Sequence, residues 1–375
     1  MPAPPSGARP WYRATDWVLV GSVAALAGLG LVMVYSATRS WAPDPIFYLR
    51  RQAINLGVGA LALVVAAAVD YRRLLRYGPW VYLGGLLLLA AVLVAGRRVA
   101  GTQGWLALGR WSLQPAELAK VALAVALAGY LAEHRPPRRW PDLVAPTGLA
   151  LVYTALVLLQ PDLGTAVVFV VILMGMLFAA QTPAKFLAWM TLAGLAAVGL
   201  AVAATWAGWW PLLKPHQLQR LAVLVQPGLV DKGAGWNVLQ SVIAVGSGRL
   251  FGRGLFAGPQ TQLAFLPSRH TDFIFSAVGE ELGFLGAGAV LAAYYLVCRR
   301  ILRVAQLARD RAGSLLAVGV LIPLSFHVVV NIGMTLALVP VMGIPLPFLS
   351  YGGSNLVASL TGVGLVLSVA RRRRA

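Results

Sequence analysis

The stretch "WVLVGSVAALAGLGLVMVYS" (17–36) carries no charge over a length that matches the hydrocarbon core of a bilayer. A membrane-spanning helix needs about 20 such residues. Comparable stretches recur along the chain, and ten spans are expected. They fall at 17–36, 52–69, 78–95, 116–132, 143–159, 163–180, 184–206, 272–298, 315–337 and 347–370. The fold class is therefore an all-α polytopic membrane protein. Residues 1–375 form a single integral membrane domain, with one long loop at 207–271. At "LLQPDLGT" two helices are expected rather than one, because Pro161 cannot continue the first but can open the second.

Composition excludes the soluble classes. Apolar residues make up 59% of the chain and charged residues 11%, too much apolar surface for a soluble core to hide. The single cysteine, Cys298, excludes an intramolecular disulfide. The four histidines, His134, His216, His270 and His327, are scattered and form no HExxH pattern. The net charge of +19 does not indicate nucleic acid, because the basic residues sit in short loops between apolar segments. Residues 1–10 (MPAPPSGARP) are expected to be a disordered tail, with no cleavable signal peptide.

Lysine and arginine orient the chain. With the N-terminus inside, 18 of the 31 basic residues fall on the cytoplasmic side and 12 outside, and 6 of those 12 lie in the long loop. Long loops report topology poorly, so both termini are expected in the cytoplasm and 207–271 outside. Within that loop, "GAGWNVLQSVIAVGSGRLFGRGLF" is apolar and Gly-rich, as an interfacial or re-entrant helix would be. No nucleotide-binding motif is present.

Four polar motifs then converge on the outer face. They are "GTQGWLALGRWSLQPAELAK" (101–120), "QPDLGT" (160–165), "RHTDFIFS" (269–276) and "GIPLPFLSYGGS" (343–354). Asp272 is either a first-turn helix charge behind a Thr271 N-cap or a general base at the membrane surface. Helical spacing would place it on one face with Ser276, Gly279 or Glu280, and Gly283, with Glu280 about 12 Å deeper. Glu280 and Glu281 are expected to be buried structural groups. Glu117 and Lys120 stand three apart and can pair on one helix face; alternatively Lys120 holds a phosphate while Glu117 positions it. Asp162 is either a helix-start charge or a site residue. Arg110, Arg249, Arg253 and Arg269, with Arg50, Arg51 and Arg220, form an external basic surface suited to a lipid pyrophosphate. In "SYGGS", Ser350, Gly352 and Gly353 allow either close helix packing or backbone amides for an anion. The two prolines of "GIPLPF" require non-helical backbone that is buried in protein or lines a cavity.

Taken in order, these motifs resemble the SEDS family (shape, elongation, division and sporulation) over roughly residues 100–355. "GIPLPFLSYGGS" is more similar to the elongation branch than to the division branch. The resemblance implies a peptidoglycan glycosyltransferase that polymerises lipid II at the outer face of the bacterial cytoplasmic membrane, together with a class B penicillin-binding protein. It assigns the catalytic aspartate to Asp272, and the glutamate and lysine of "QPAELAK" to Glu117 and Lys120. His270 belongs to the same motif as Asp272 and is grouped with the substrate-binding residues. Two positions depart from the family pattern: Gly104, where a basic residue is expected, and Asn355, where a small residue is expected. No cofactor is evident, and a divalent cation could assist. The alternatives are a lipid II flippase and a non-catalytic scaffold. A flippase should carry polar groups along a path through the bilayer, whereas the intramembrane carboxylates here are expected at the outer end, with Glu280 and Glu281 the only deeper ones.

Overall fold

The computed structural model describes residues 15–99, 102–109, 111–208 and 234–372. The 1–10 tail, Arg110, Arg220 and loop residues 209–233 lie outside the described residues. Among those described, helices α1 (Trp17–Thr38), α2 (Phe47–Ala68), α3 (Tyr71–Arg76) and α4 (Gly78–Ala95) precede a small sheet. Then follow α5 (Pro115–Glu133), α6 (Trp140–Leu159), α7 (Leu163–Ala179) and α8 (Ala184–Trp206). The long loop carries α9 (Ala234–Ser247) and α10 (Pro259–Gln262), and α11 (Ile274–Gln306), α12 (Arg311–Thr335) and α13 (Gly353–Arg371) complete the bundle. Nine of these are long and apolar enough to cross a membrane, and α7 is a shorter apolar helix, matching the ten expected spans.

The scarce acidic residues are used at helix starts. Asp16, Asp70, Asp162 and Asp310 each cap a helix and accept a backbone N–H of its first turn. The α6–α7 break is present, but Asp162 opens the second helix and Pro161 lies in the turn. Helices α5, α12 and α13 are the most buried and form the centre of the bundle, whereas α8 is almost bare along its length.

Ion pairs gather one end of the bundle. Arg300 pairs with Asp16 at 2.8 Å, Arg72 with Asp310 at 2.9 Å and Arg372 with Asp70 at 3.4 Å. Both ends of the described chain meet there, where Arg371 Nε donates to Thr15 Oγ1 at 3.3 Å. At the opposite end lies a three-stranded antiparallel sheet, β1 (Arg97–Val99), β2 (Thr102–Leu108) and β3 (Trp111–Leu113), which sequence reasoning missed. The expected loop helix is α9. It presents Trp236, Leu239, Val242 and Ile243 outward and buries Val238, Ser241 and Ala244.

Helix α11 departs from the expected span. It begins at Ile274, after Phe273, so Thr271 does not cap it and Asp272 lies before its first turn. Thr271 Oγ1 instead donates to Ser268 O at 3.2 Å. Because the helix begins only at Ile274, an unbroken helical rise from Asp272 to Glu280 does not apply, and the helical path breaks again at Gly283 (φ 67°). The expected polar stripe is a contact surface. Ser276 pairs with Ser241 of α9 at 2.6 Å. Glu280 accepts Gln260 N at 2.7 Å, Thr261 N at 2.9 Å and Thr261 Oγ1 at 2.6 Å. Glu281 accepts the Ser36 hydroxyl at 2.6 Å and Phe256 N at 3.1 Å. Both glutamates are buried structural groups, as expected.

Only glycine suits position 283. Its φ is left-handed, and a Cβ there would stand 2.2 Å from Gly252 N. Gly283→Ala is expected to destabilise the fold by roughly 1–3 kcal/mol. Thermal unfolding in detergent measures this, and an unchanged midpoint would contradict the close approach.

Candidate functional site

Two non-helical segments meet at the end of the bundle away from the chain termini. One runs into α11 and contains Arg269, His270 and Asp272; the other, 340–352, runs into α13. Both are fastened to α12. Asn331 Nδ2 donates to Asp272 O and to Ile344 O, each at 2.8 Å. Ser350 Oγ donates to Thr271 O at 2.6 Å and accepts Leu346 N at 2.9 Å. Tyr351 N donates to His270 O at 2.8 Å. The backbone of Asp272 is thus held on both sides, and its side chain is half-buried beside Gly343, where a Cβ would lie 3.7 Å from Oδ2.

One helical turn along α12 from Asn331, His327 reaches a second cluster. Glu117 Oε2 accepts Lys120 Nζ at 2.8 Å and Asn355 Nδ2 at 2.8 Å. Lys120 Nζ also lies 3.0 Å from His327 Nε2. Lysine only donates, so Nε2 accepts, and the imidazole proton is on Nδ1, which faces Pro345 O at 3.1 Å. All four side chains are buried. They line a cavity of about 50 Å³ with Val121, Ala124, Pro323 and Pro347. Glu117 and Lys120 pair on one helix face as their spacing allows, and Lys120 faces the cavity with Glu117 and His327 as its partners.

The remaining expected site residues divide. Asp162 is the N-cap of α7, accepting Thr165 N at 3.0 Å and Thr165 Oγ1 at 2.8 Å. Arg269 is buried: Nε donates to Ala37 O at 2.8 Å and its guanidinium lies over Trp41. It does not belong to an open basic surface. Arg249 and Arg253 are exposed, but they sit by Gly283, at the far end of the Ile274–Leu282 segment from Asp272. Arg110 lies outside the described residues. The amides of Ser350, Tyr351 and Gly352 donate to Leu346 O, His270 O and Gln52 Oε1. Gly353 packs against Asn55, where a Cβ would stand 2.9 Å from the amide, so close packing is its role.

His270 lies in an aromatic cluster with Trp41, Tyr48 and Tyr351 at centroid distances of 5.3–5.7 Å. Burial, and then the Arg269 guanidinium beside it, push its pKa down to about 4. Arg51 reaches the same cluster, lying over Phe47 and Trp111 and interacting with Tyr351. Sequence reasoning missed His327, Asn331 and the part played by Asn355. Asn355 was marked only as a departure from the family pattern, yet its amide completes the shell of Glu117.

Comparison with known proteins now decides the family. The family model that joins FtsW, RodA and SpoVE, described as cell cycle protein, matches residues 16–375. The chain belongs to this family. It is 36% identical over 368 residues to the probable peptidoglycan glycosyltransferase FtsW of Geobacter sp. (strain M18), covering 96% of this chain and 97% of that protein. It is 38% identical over 349 residues to the peptidoglycan glycosyltransferase MrdB of Escherichia coli (strain K12), covering 92% and 91%. A solved chain from work on polymerization and crosslinking by a peptidoglycan synthase complex superposes with a TM-score of 0.79 at 38% identity, covering 96% of this chain and 98% of that one. The family assignment accords with the SEDS resemblance, and the FtsW-named and MrdB-named relatives match at similar identity.

Two outcomes follow. Lys120→Met leaves a buried carboxylate without its cation and is expected to cost about 3–5 kcal/mol, whereas Glu117→Gln with Lys120→Met costs less than Lys120→Met alone. Unfolding midpoints of the two variants check this, and equal losses would contradict it. His270 is neutral in the fold at pH 7, and its folded pKa lies below the unfolded value of about 6.5. Its stabilising contribution is complete above that value and falls away as pH drops toward 4. Replacing it by Gln should flatten the loss of midpoint between pH 6.5 and pH 4.

Proposed function

We propose that the protein is a peptidoglycan glycosyltransferase that polymerises lipid II at the outer face of a bacterial cytoplasmic membrane. Asp272 acts as the general base. What carries this reading is the half-buried carboxylate of Asp272 on a braced, non-helical segment at the end of the bundle opposite the chain termini. The lysine and arginine distribution assigns that end to the outside. The names of the relatives support the reaction class.

The chemistry needs little more than this. Lipid II carries its sugar on an α-linked pyrophosphate, and the glycan product is β-1,4 linked, so one inversion at carbon one is required. The base takes the proton of the acceptor 4-hydroxyl as that oxygen attacks, and pyrophosphate leaves with the bonding electrons. A second carboxylic acid is unnecessary if the leaving charge is stabilised. Of the cations described, Arg51 lies beside Tyr351 near the site and could share with Lys120 the stabilisation of the leaving pyrophosphate. No group of three His, Cys, Asp or Glu side chains gathers among the described residues. A Mg²⁺ or Mn²⁺ ion would therefore be held by Asp272 and the pyrophosphate of the substrate together.

A class B penicillin-binding protein is the proposed partner, supported by the synthase-complex context of the matched structure. Elongation is the proposed role, on the strength of the "GIPLPFLSYGGS" segment.

The test uses purified protein with its cognate penicillin-binding protein and labelled lipid II, with and without divalent metal. Asp272→Asn and Asp272→Ala are expected to lower polymer formation by about 10²-fold or more. Polymer at the wild-type rate from either folded variant would remove Asp272 from the mechanism. No polymer from a folded, partnered wild type would return the flippase.

A further inference from the structure

At the end of the bundle that gathers the termini, the α5–α6 and α7–α8 connections lie side by side. Arg311 clamps them, with Nη1 donating to His134 O at 2.9 Å and Nη2 to Ala180 O at 3.4 Å. Between them is a concavity of about 400 Å³ lined by Arg138, Arg139, Trp140, Lys185, Phe186 and Trp189. The three cations are exposed, and none of the five ion pairs among the described residues uses them. The nearby carboxylate, Asp142, accepts Arg138 N and Arg139 N at 3.0 Å each, so it is committed to the backbone, although its charge offsets part of the local positive potential. The N-termini of α6 and α8 both open here, and their dipoles add to that potential.

The walls are shaped for an amphiphile. The Trp140 ring meets buried Phe186 edge-on at 4.8 Å, and Lys185 lies over Phe186 at 5.1 Å. Trp140 and Trp189 are more than half exposed. Beyond Trp189, the bare apolar surface of α8 continues around the helix with exposed Leu192, Leu195, Val198 and Leu200. A small anion would satisfy the cations and leave this surface unused. An acidic protein or a nucleic acid would meet a hydrocarbon-like surface. A molecule with an anionic head and long apolar tails matches both.

We propose that this concavity binds an anionic glycerophospholipid of the cytoplasmic leaflet. Arg138, Arg139 and Lys185 hold its phosphate, and its acyl chains run along the exposed apolar surface of α8 beyond Trp189. Basic pockets between spanning helices at a membrane surface recognise such headgroups through charge and hydrogen bonding. This inference does not rest on the proposed polymerase activity.

The test counts lipids retained by the full-length protein in native mass spectrometry, after exchange from mixed phosphatidylglycerol and phosphatidylcholine micelles. Wild type is expected to prefer phosphatidylglycerol by about tenfold. The Arg138→Gln, Arg139→Gln, Lys185→Gln triple variant should lose the preference. A charge-matched triple at the same end, Arg73→Gln, Arg76→Gln, Arg309→Gln, should keep it. Equal preference in the site variant, none in wild type, or equal loss in the control would overturn the site. Glycerol phosphate should compete only weakly; competition as strong as that of the intact lipid would overturn the acyl-chain part. Should the triple variant fail to fold, Lys185→Gln alone is expected to lower the preference about threefold, and an unchanged value would count against the site.

Discussion

Backbone that is not helical, packed among membrane-spanning helices, must find its hydrogen-bond partners inside the protein. The segment ahead of α11 and the segment 340–352 are both of this kind, and α12 supplies the answer. Asn331 bridges a carbonyl from each segment with a single amide, and His327, one turn away, takes the next carbonyl, Pro345 O. Tyr294 of α11 donates its hydroxyl to Pro347 O, and Ser350 ties the second segment back to Thr271. The position of Asp272 follows from these bonds, because they hold the main chain on which its carboxylate stands.

The same shortage of water governs the charges. Glu117 is neutralised by Lys120 and by the Asn355 amide, and Lys120 has His327 as a second partner. Among the described residues no cation pairs with Glu280 or Glu281; backbone N–H, hydroxyl and Gln262 amide groups satisfy them, which fastens the 256–262 loop to the bundle. An acidic residue buried here without such partners would be costly. Asp272 differs from these carboxylates in its partial exposure and its place on a loop, which is why the proposed chemistry falls to it.

Positive charge is also sorted by context. Arg269 serves as a buried strut under Trp41, while Arg138, Arg139 and Lys185 remain exposed around an aromatic-walled concavity. Arg138, Arg139 and Arg269 are loop residues in the sequence, and Lys185 stands at the start of α8. Their roles separate because Arg269 finds a backbone carbonyl in α1 and the other three meet no carboxylate that is free to pair.

What the sequence by itself determined lies within short chain distances. Apolar runs of bilayer length specify the ten helices, and the three-residue spacing of Glu117 and Lys120 specifies their pairing, because a helix brings such neighbours together. Asp162 as a helix-start charge is local in the same sense. Tertiary structure alone decided the rest. His327 in "LSFHVVVN" carries no local mark, and it meets Lys120 only because α5 and α12 pack at the centre of the bundle. Asn331 gains its meaning from carbonyls on two other segments, and Asn355 from a carboxylate on α5. Gly283 is one glycine of 40 in the sequence, and only the approach of Gly252 shows that no side chain fits there. Helical periodicity encodes contacts a turn apart, whereas a site built by separate segments depends on which helices pack, and no spacing along the chain records that.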